Sequence, residues 1–175
     1  MILLVPIGPI PIHLISWLED KLGLYVYRPV KTGKAVPLPR QGYNEQRQQY
    51  TADAIIQLLQ GVSCPEAERL VGLIDQDCYS QDLNFIFGYA SVNARESFVA
   101  LPRLRSDFYE LDEDKCLVRY RVLKEVVHEL AHTWGLSHCN NEECVMRFSN
   151  SVEDTDNKDT AFCRRCREKI QPLKT

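Results

Sequence analysis

The segment HELAHTWGLSHCNNEECVM, residues 128–146, holds three of the four histidines in a 175-residue chain, together with two cysteines. His128 and His132 are four residues apart, a spacing that stacks two imidazoles on one helix face, close enough to share one zinc ion. Glu129 lies beside them, within reach of a water on such a metal. Gly135 can turn the chain sharply, so that His138 returns as a third ligand. Three neutral nitrogens leave one coordination position open, and that vacancy separates a catalytic zinc from a structural one. Zinc lowers the pKa of bound water to about 7, so Glu129 can take its proton as general base and return it to a departing amine. The competing reading makes the histidines capping or core residues. HExxH alone arises by chance, but its extension by Gly and a third His is far more specific.

Cysteine spacing adds a second cluster. Cys139 and Cys144 flank four residues, and Cys163 and Cys166 form a CxxC near a helix start. Four thiolates in tetrahedral array make a closed zinc site whose binding energy adds to folding. A redox pair at Cys163 and Cys166, or Cys139 placed on the catalytic metal, are the alternatives. Cys64, Cys78 and Cys116 read as small buried apolar residues.

HELAHTWGLSH, with Met146 just beyond, resembles the signature of the metzincin clan of zinc peptidases. The fuller pattern HExxHxxGxxHCx4CxM followed by a distal CxxC is similar to that of one family in the clan, the archaemetzincins. The resemblance implies a metalloprotease with two zinc ions per chain. His128, His132 and His138 would hold the catalytic ion and Cys139, Cys144, Cys163 and Cys166 the structural one, with Glu129 as general base. Met146 would form a hydrophobic floor under the metal. Phe148 stands where another branch carries a tyrosine, so no tyrosine ligand is expected there. By the same resemblance, an extended peptide would lie along an edge strand, for which NFIFGYA followed by SVN has the right place in chain order. Gly88 suits close backbone approach there, or simply eases a bulge.

The elements that position these groups follow from periodicity. Ile2 to Ile7 reads as a buried strand, Pro11 to Leu22 as a helix, and LGLYVYRPV as extended chain. Asn44 reads as the cap of a helix running to Leu59 and stopped by Gly61. VGLID, NFIFGYA and SFVALPRL read as strands. Asp112 or Asp114 would cap a long helix from about Lys115 to Trp134, ended by Gly135. Residues 149–161 read as an exposed polar loop, with an acidic solvated run at 153–159, before a short helix near 164–170. The fold class is α/β (α+β) and metzincin-like: a small twisted mixed sheet with packed helices, an active-site helix, a Met-turn and a short C-terminal helix. One catalytic domain over 1–175 is expected, with an N-terminal subdomain at about 1–134 that includes the active-site helix. A C-terminal subdomain at about 135–175 would carry the structural zinc.

Composition narrows the partners. Hydrophobic residues make up 45% of the chain, enough for one sizeable core. With 21 Lys+Arg against 24 Asp+Glu and a formal net charge of −3, the broad basic field needed for nucleic acid is missing. MILLVPIGPI has no basic flank and is broken by Pro6, Gly8 and Pro9, unlike a secretory signal. No apolar run reaches bilayer-spanning length, so no membrane partner is expected and a cytoplasmic location is. The expected partner is a peptide or protein substrate. A peptide-binding or scaffolding protein with a low-turnover zinc site is the alternative function.

Overall fold

The computed structural model describes residues 1–91, 94–112 and 114–170. Strand β1 (Ile2–Ile7) is buried along its whole length, as the unbroken apolar run requires of a strand covered on both faces. Alternation along it feeds two cores. Ile2 and Leu4 join the cluster under helices α1 (Ile12–Val26) and α3 (Lys115–Thr133), whereas Leu3, Val5 and Ile7 join the one under α2 (Ala52–Gln60). On either side of β1 run β2 (Val30–Thr32) and β5 (Arg69–Ile74), both parallel to it. β9 (Glu96–Ala100) pairs parallel with β5, and β8 (Gly88–Ala90) closes this five-stranded sheet as an antiparallel edge. A second sheet of four strands has the order β3 (Tyr43–Asn44), β4 (Gln49–Thr51), β6 (Cys78–Ser80) and β7 (Leu83–Ile86). The mixed α/β class expected from the alternation of elements is thus the observed one.

Several local expectations change. Helix α1 continues through Val26, because Leu18, Leu22 and Val26 keep one buried face, and it ends only where Tyr27 turns left-handed at φ 57°. Of LGLYVYRPV, only its last valine, Val30, is in a strand. The helix expected from Asn44 begins instead at Ala52, capped by Thr51, whose side chain accepts from the Ala54 amide. Asn44 does cap, but it caps a turn: its Oδ1 accepts from the Arg47 amide at 3.1 Å, and the Tyr43 and Tyr50 rings pack across the hairpin at 4.9 Å. NFIFGYA is two strands in different sheets, since Ile86 pairs with Cys78 while Gly88 pairs with Val99. Of SVN, Val92 and Asn93 lie outside the described residues.

Residues 149–161 are not a loop throughout. Helix α4 (Val152–Asn157) starts with a capping box between Ser151 and Asp154, and Thr155, Lys158 and Thr160 are buried. Helix α5 (Arg164–Ile170) lies where expected. SFVALPRL gives β9 and then a short 3-10 turn at Pro102–Leu104. Among the leftover cysteines Cys78 is buried, Cys64 is partly buried and Cys116 is exposed, so the apolar-filler reading fails at Cys116. Its place in the first turn of α3 points it away from the core.

Candidate metal centre and active site

Helix α3 carries most of the site. Asp114 caps it by accepting from the Cys116 and Leu117 amides, and Val118, Val122, Leu123, Val126, Val127 and Leu130 pack it into the core. Its last turn therefore has little freedom. Trp134 Nε1 donates to Glu68 at 2.8 Å, and Arg69 donates to Thr133 Oγ1 at 3.0 Å, tying that end to the start of β5. Gly135 then takes φ +83°, a conformation that costs glycine little, and the chain doubles back.

That reversal brings the three imidazoles together, with one ring nitrogen from each of His128, His132 and His138 all within 4.8 Å of one another. The Nδ1 atoms of His128 and His132 lie 2.8 Å from the Val145 carbonyl and 2.6 Å from the Leu136 carbonyl. A carbonyl can only accept, so both Nδ1 atoms carry protons and donate. The two Nε2 atoms, 3.0 Å apart, then face each other with lone pairs and no proton between them. Two acceptors in that posture, one on a buried and one on a partly buried ring, suit a cation. Tetrahedral zinc with bonds near 2.0–2.1 Å would set neighbouring nitrogens about 3.4 Å apart, close to the distance seen. Val145 and Leu136 thus fix tautomer and ring orientation, as backbone partners commonly do for histidines that ligate a metal. Burial lowers the pKa of all three histidines, that of His128 far below the ordinary value, with Lys158 adding to the effect at His128.

Met146 is fully buried, and its carbonyl accepts from the Cys139 amide at 2.9 Å, closing the turn that also presents Val145 to His128. Glu129 is buried on the adjoining face of α3. Burial raises its carboxyl well above the usual range, repulsion from Glu125 adds to this, and Lys158 offsets part of it. Gly88 explains how Glu129 fits. A Cβ at residue 88 would lie 2.6 Å from Glu129 Cγ and 2.8 Å from its Oε1, so the close approach at this glycine is to a side chain of α3. A cleft of about 500 Å³ opens over these groups. It is lined by Leu83 and Phe85 of β7, Gly88 of β8, and Phe148 and Asn150. The Phe148 ring sits 5.0 Å from that of His138.

The four cysteines converge separately. The sulfurs of Cys139, Cys144, Cys163 and Cys166 all lie within 4.8 Å of one another, and those of Cys139 and Cys163 are 3.9 Å apart. Zn–S bonds near 2.3 Å in a tetrahedron give an edge of about 3.8 Å, whereas a disulfide needs about 2.05 Å. The donor set fits zinc. Burial opposes ionisation of Cys163, but donors from Cys166, Cys144 and Cys139 outweigh it and bring the thiol down to about 7. Burial pushes Cys144 and Cys166 up. The structure brings His128, His132 and His138 together in one group and Cys139, Cys144, Cys163 and Cys166 in another, with Cys139 among the thiols.

The model of peptidase family M54 matches residues 26–172. The chain belongs to peptidase family M54. Archaemetzincin of Methanocaldococcus jannaschii is 36% identical over 167 residues, 95% of this chain and 90% of that relative. Archaemetzincin of Methanopyrus kandleri is 39% identical over 166 residues, 94% of this chain and 91% of the relative. A crystal structure of archaemetzincin from the same organism superposes with a TM-score of 0.86, covering 98% of this chain and 93% of that one. The archaemetzincin of Archaeoglobus fulgidus, crystallised with malonate, gives 0.82 at 33% identity, covering 97% and 99% of the two chains. This M54 chain is thus a zinc metalloprotease with the archaemetzincin fold. Two cleft-lining residues, Glu125 and Phe148, and the buried Lys158 carry little signal in the sequence. Glu125 was visible in principle, one turn before Glu129 on the same helix; Lys158 gave no signal inside an acidic run. Phe148 stands out in the sequence only for not being tyrosine.

Proposed function

We propose that the chain hydrolyses peptide bonds by direct attack of water, with His128, His132 and His138 holding a catalytic zinc and Glu129 as general base. Zinc in that place supplies a Lewis acid that makes water acidic near neutral pH and polarises the scissile carbonyl. Glu129, buried in the cleft wall with its carboxyl held high, takes a proton from the attacking water and delivers it to the departing amine. Its freedom is restricted by Gly88 on one side and by its own helix on the other. The open edges of β7 and β8 offer main-chain hydrogen bonds along which an extended peptide would lie, an arrangement that orients substrate with modest sequence preference. Cys139, Cys144, Cys163 and Cys166 hold a second, structural zinc, making two ions per chain. The whole works as one catalytic domain in the cytoplasm.

The observation that carries this reading is the pair of Nε2 atoms of His128 and His132 facing each other 3.0 Å apart, with both Nδ1 atoms turned to backbone carbonyls, in the cleft that Glu129 also lines. Glu129→Gln tests it. The variant should bind as much zinc as the parent and lose peptide hydrolysis by about 10²–10⁴-fold, the usual worth of a positioned acid-base group. Full activity in that variant would remove Glu129 from the mechanism.

A further inference from the structure

We propose that the buried ion pair of Lys158 and Glu125 is a positioning device for the peptidase cleft, holding the wall that carries Phe148 at a set distance from the active-site helix. The proposal rests on the peptidase reading of this cleft. Lys158 is 2% exposed and Glu125 3%. Lys158 Nζ lies 2.9 Å from Glu125 Oε1 and also donates to the Arg147 carbonyl at 3.3 Å. The ammonium therefore joins two elements: α3, where Glu125 is one turn ahead of Glu129, and the residue between Met146 and Phe148. Thr155 Oγ1 donates to the same Glu125 oxygen at 3.1 Å and fixes its rotamer. Glu125, Phe148, Ser149 and Asn150 all line the cleft, so the strut sits at the wall itself.

Attachment of α4 to α3 does not require this pair. Arg121 grips Asp156 with two bonds of 2.7 and 2.6 Å, and Lys124 donates to the carbonyls of Thr155 and Asp156 at 2.9 and 3.0 Å. A buried ion pair is also a poor way to gain stability. Taking both charges out of water costs about as much as their attraction returns, and apolar residues of similar volume are often as stable or more so. Fold stability alone therefore gives no reason for Lys158 and Glu125 to be charged. The bond to the Arg147 carbonyl does, because an apolar side chain would leave that carbonyl and the wall behind it free to shift.

The test separates stability from activity. Lys158→Met leaves Glu125 buried and unpaired, and the melting temperature should fall by roughly 6–20 °C. Glu125→Met with Lys158→Met removes both charges and should recover most of that loss. Zinc content should match the parent in both. Hydrolysis of a fluorogenic peptide should nevertheless stay about 10- to 100-fold down in kcat/KM in both, mainly through KM, as misplaced substrate predicts. Recovery of parental kcat/KM along with the melting temperature in the double variant would overturn the proposal and leave the pair a structural feature. If the double variant does not fold, Phe148→Ala decides. Phe148 is half exposed, so the change is safe for folding; KM should rise about tenfold, and an unchanged KM would show that the wall has no role. A parent protein with both zinc ions that cleaves no peptide overturns the peptidase reading and the positioning role together. Parental cleavage with an unaffected double variant overturns only the latter.

Discussion

Gly88→Ala is the substitution whose effect can be worked most directly from the structure. Gly88 is not among the glycines with positive φ, which are Gly8, Gly42 and Gly135, so alanine meets no backbone strain there. The difficulty is space. The new methyl would stand 2.6 Å from Glu129 Cγ, 2.8 Å from Glu129 Oε1 and 2.8 Å from the Phe98 carbonyl, where ordinary contact begins near 3.4 Å. The Phe98 carbonyl belongs to β9, paired with β8, so relieving that contact shifts the two strands slightly against each other. Glu129 must move as well, by something close to an ångström. Overpacking of this kind costs about 1–3 kcal/mol, which for a chain of this size lowers the melting temperature by roughly 2–12 °C. Misplacing a reacting group by about 1 Å costs on the order of 10²-fold in rate. The variant should thus fold, keep its zinc and lose about a hundredfold in kcat. Zinc is measured by elemental analysis and kcat on a fluorogenic peptide. Parental kcat in a folded, metal-replete Gly88→Ala protein would refute the placement of Glu129 as the base.

Cys163→Ser should lower zinc content by one ion and destabilise the segment around α5, since zinc binding in small thiolate sites is worth about 10–16 kcal/mol in apparent free energy; unchanged metal content and melting temperature would contradict the cysteine site. His132→Ala should remove the other ion and abolish hydrolysis with a smaller loss of stability, and retention of both ions would count against the histidine site. In chelator-stripped protein, His128, His132 and His138 have depressed values. Unfolded histidines then take up protons that the folded ones refuse, so their contribution is present above about pH 6.5 and is lost as pH falls below it. Glu129 has the opposite sign: its raised value makes the folded state costlier as pH climbs through it. The melting-temperature difference between metal-free Glu129→Gln and metal-free parent should consequently grow in the variant's favour as pH rises, and a flat difference would contradict the burial of that carboxyl.

Much of the site was legible because its chemistry is local in sequence. His128 and His132 share a helix face by spacing alone, Gly135 signals the reversal, and His138 and Cys139 follow within a few residues. The strand β1 and the helix α3 were equally readable, since one long apolar run and one long apolar stripe leave little choice. What stayed hidden depends on distant partners. Lys158 and Glu125 are 33 residues apart and meet only because α4 docks on α3. Short polar strands β3 and β4 carry no apolar alternation, and Asn44 is an equally good opening for a helix or a turn. The break in NFIFGYA is set by which strands flank it, Cys78 of β6 for Ile86 and Val99 of β9 for Gly88, and no local pattern announces that change of sheet.

The central claim is most directly tested by an anomalous difference map collected at the zinc edge from crystals of the zinc-loaded protein. Two peaks are predicted, one bonded to the four cysteine sulfurs and one to the Nε2 atoms of His128 and His132 and a nitrogen of His138, with the fourth position of the latter facing the cleft and free of protein atoms. A single peak at the cysteines, or a histidine-bound ion whose fourth position is filled by Glu129 or a sulfur, would contradict the account.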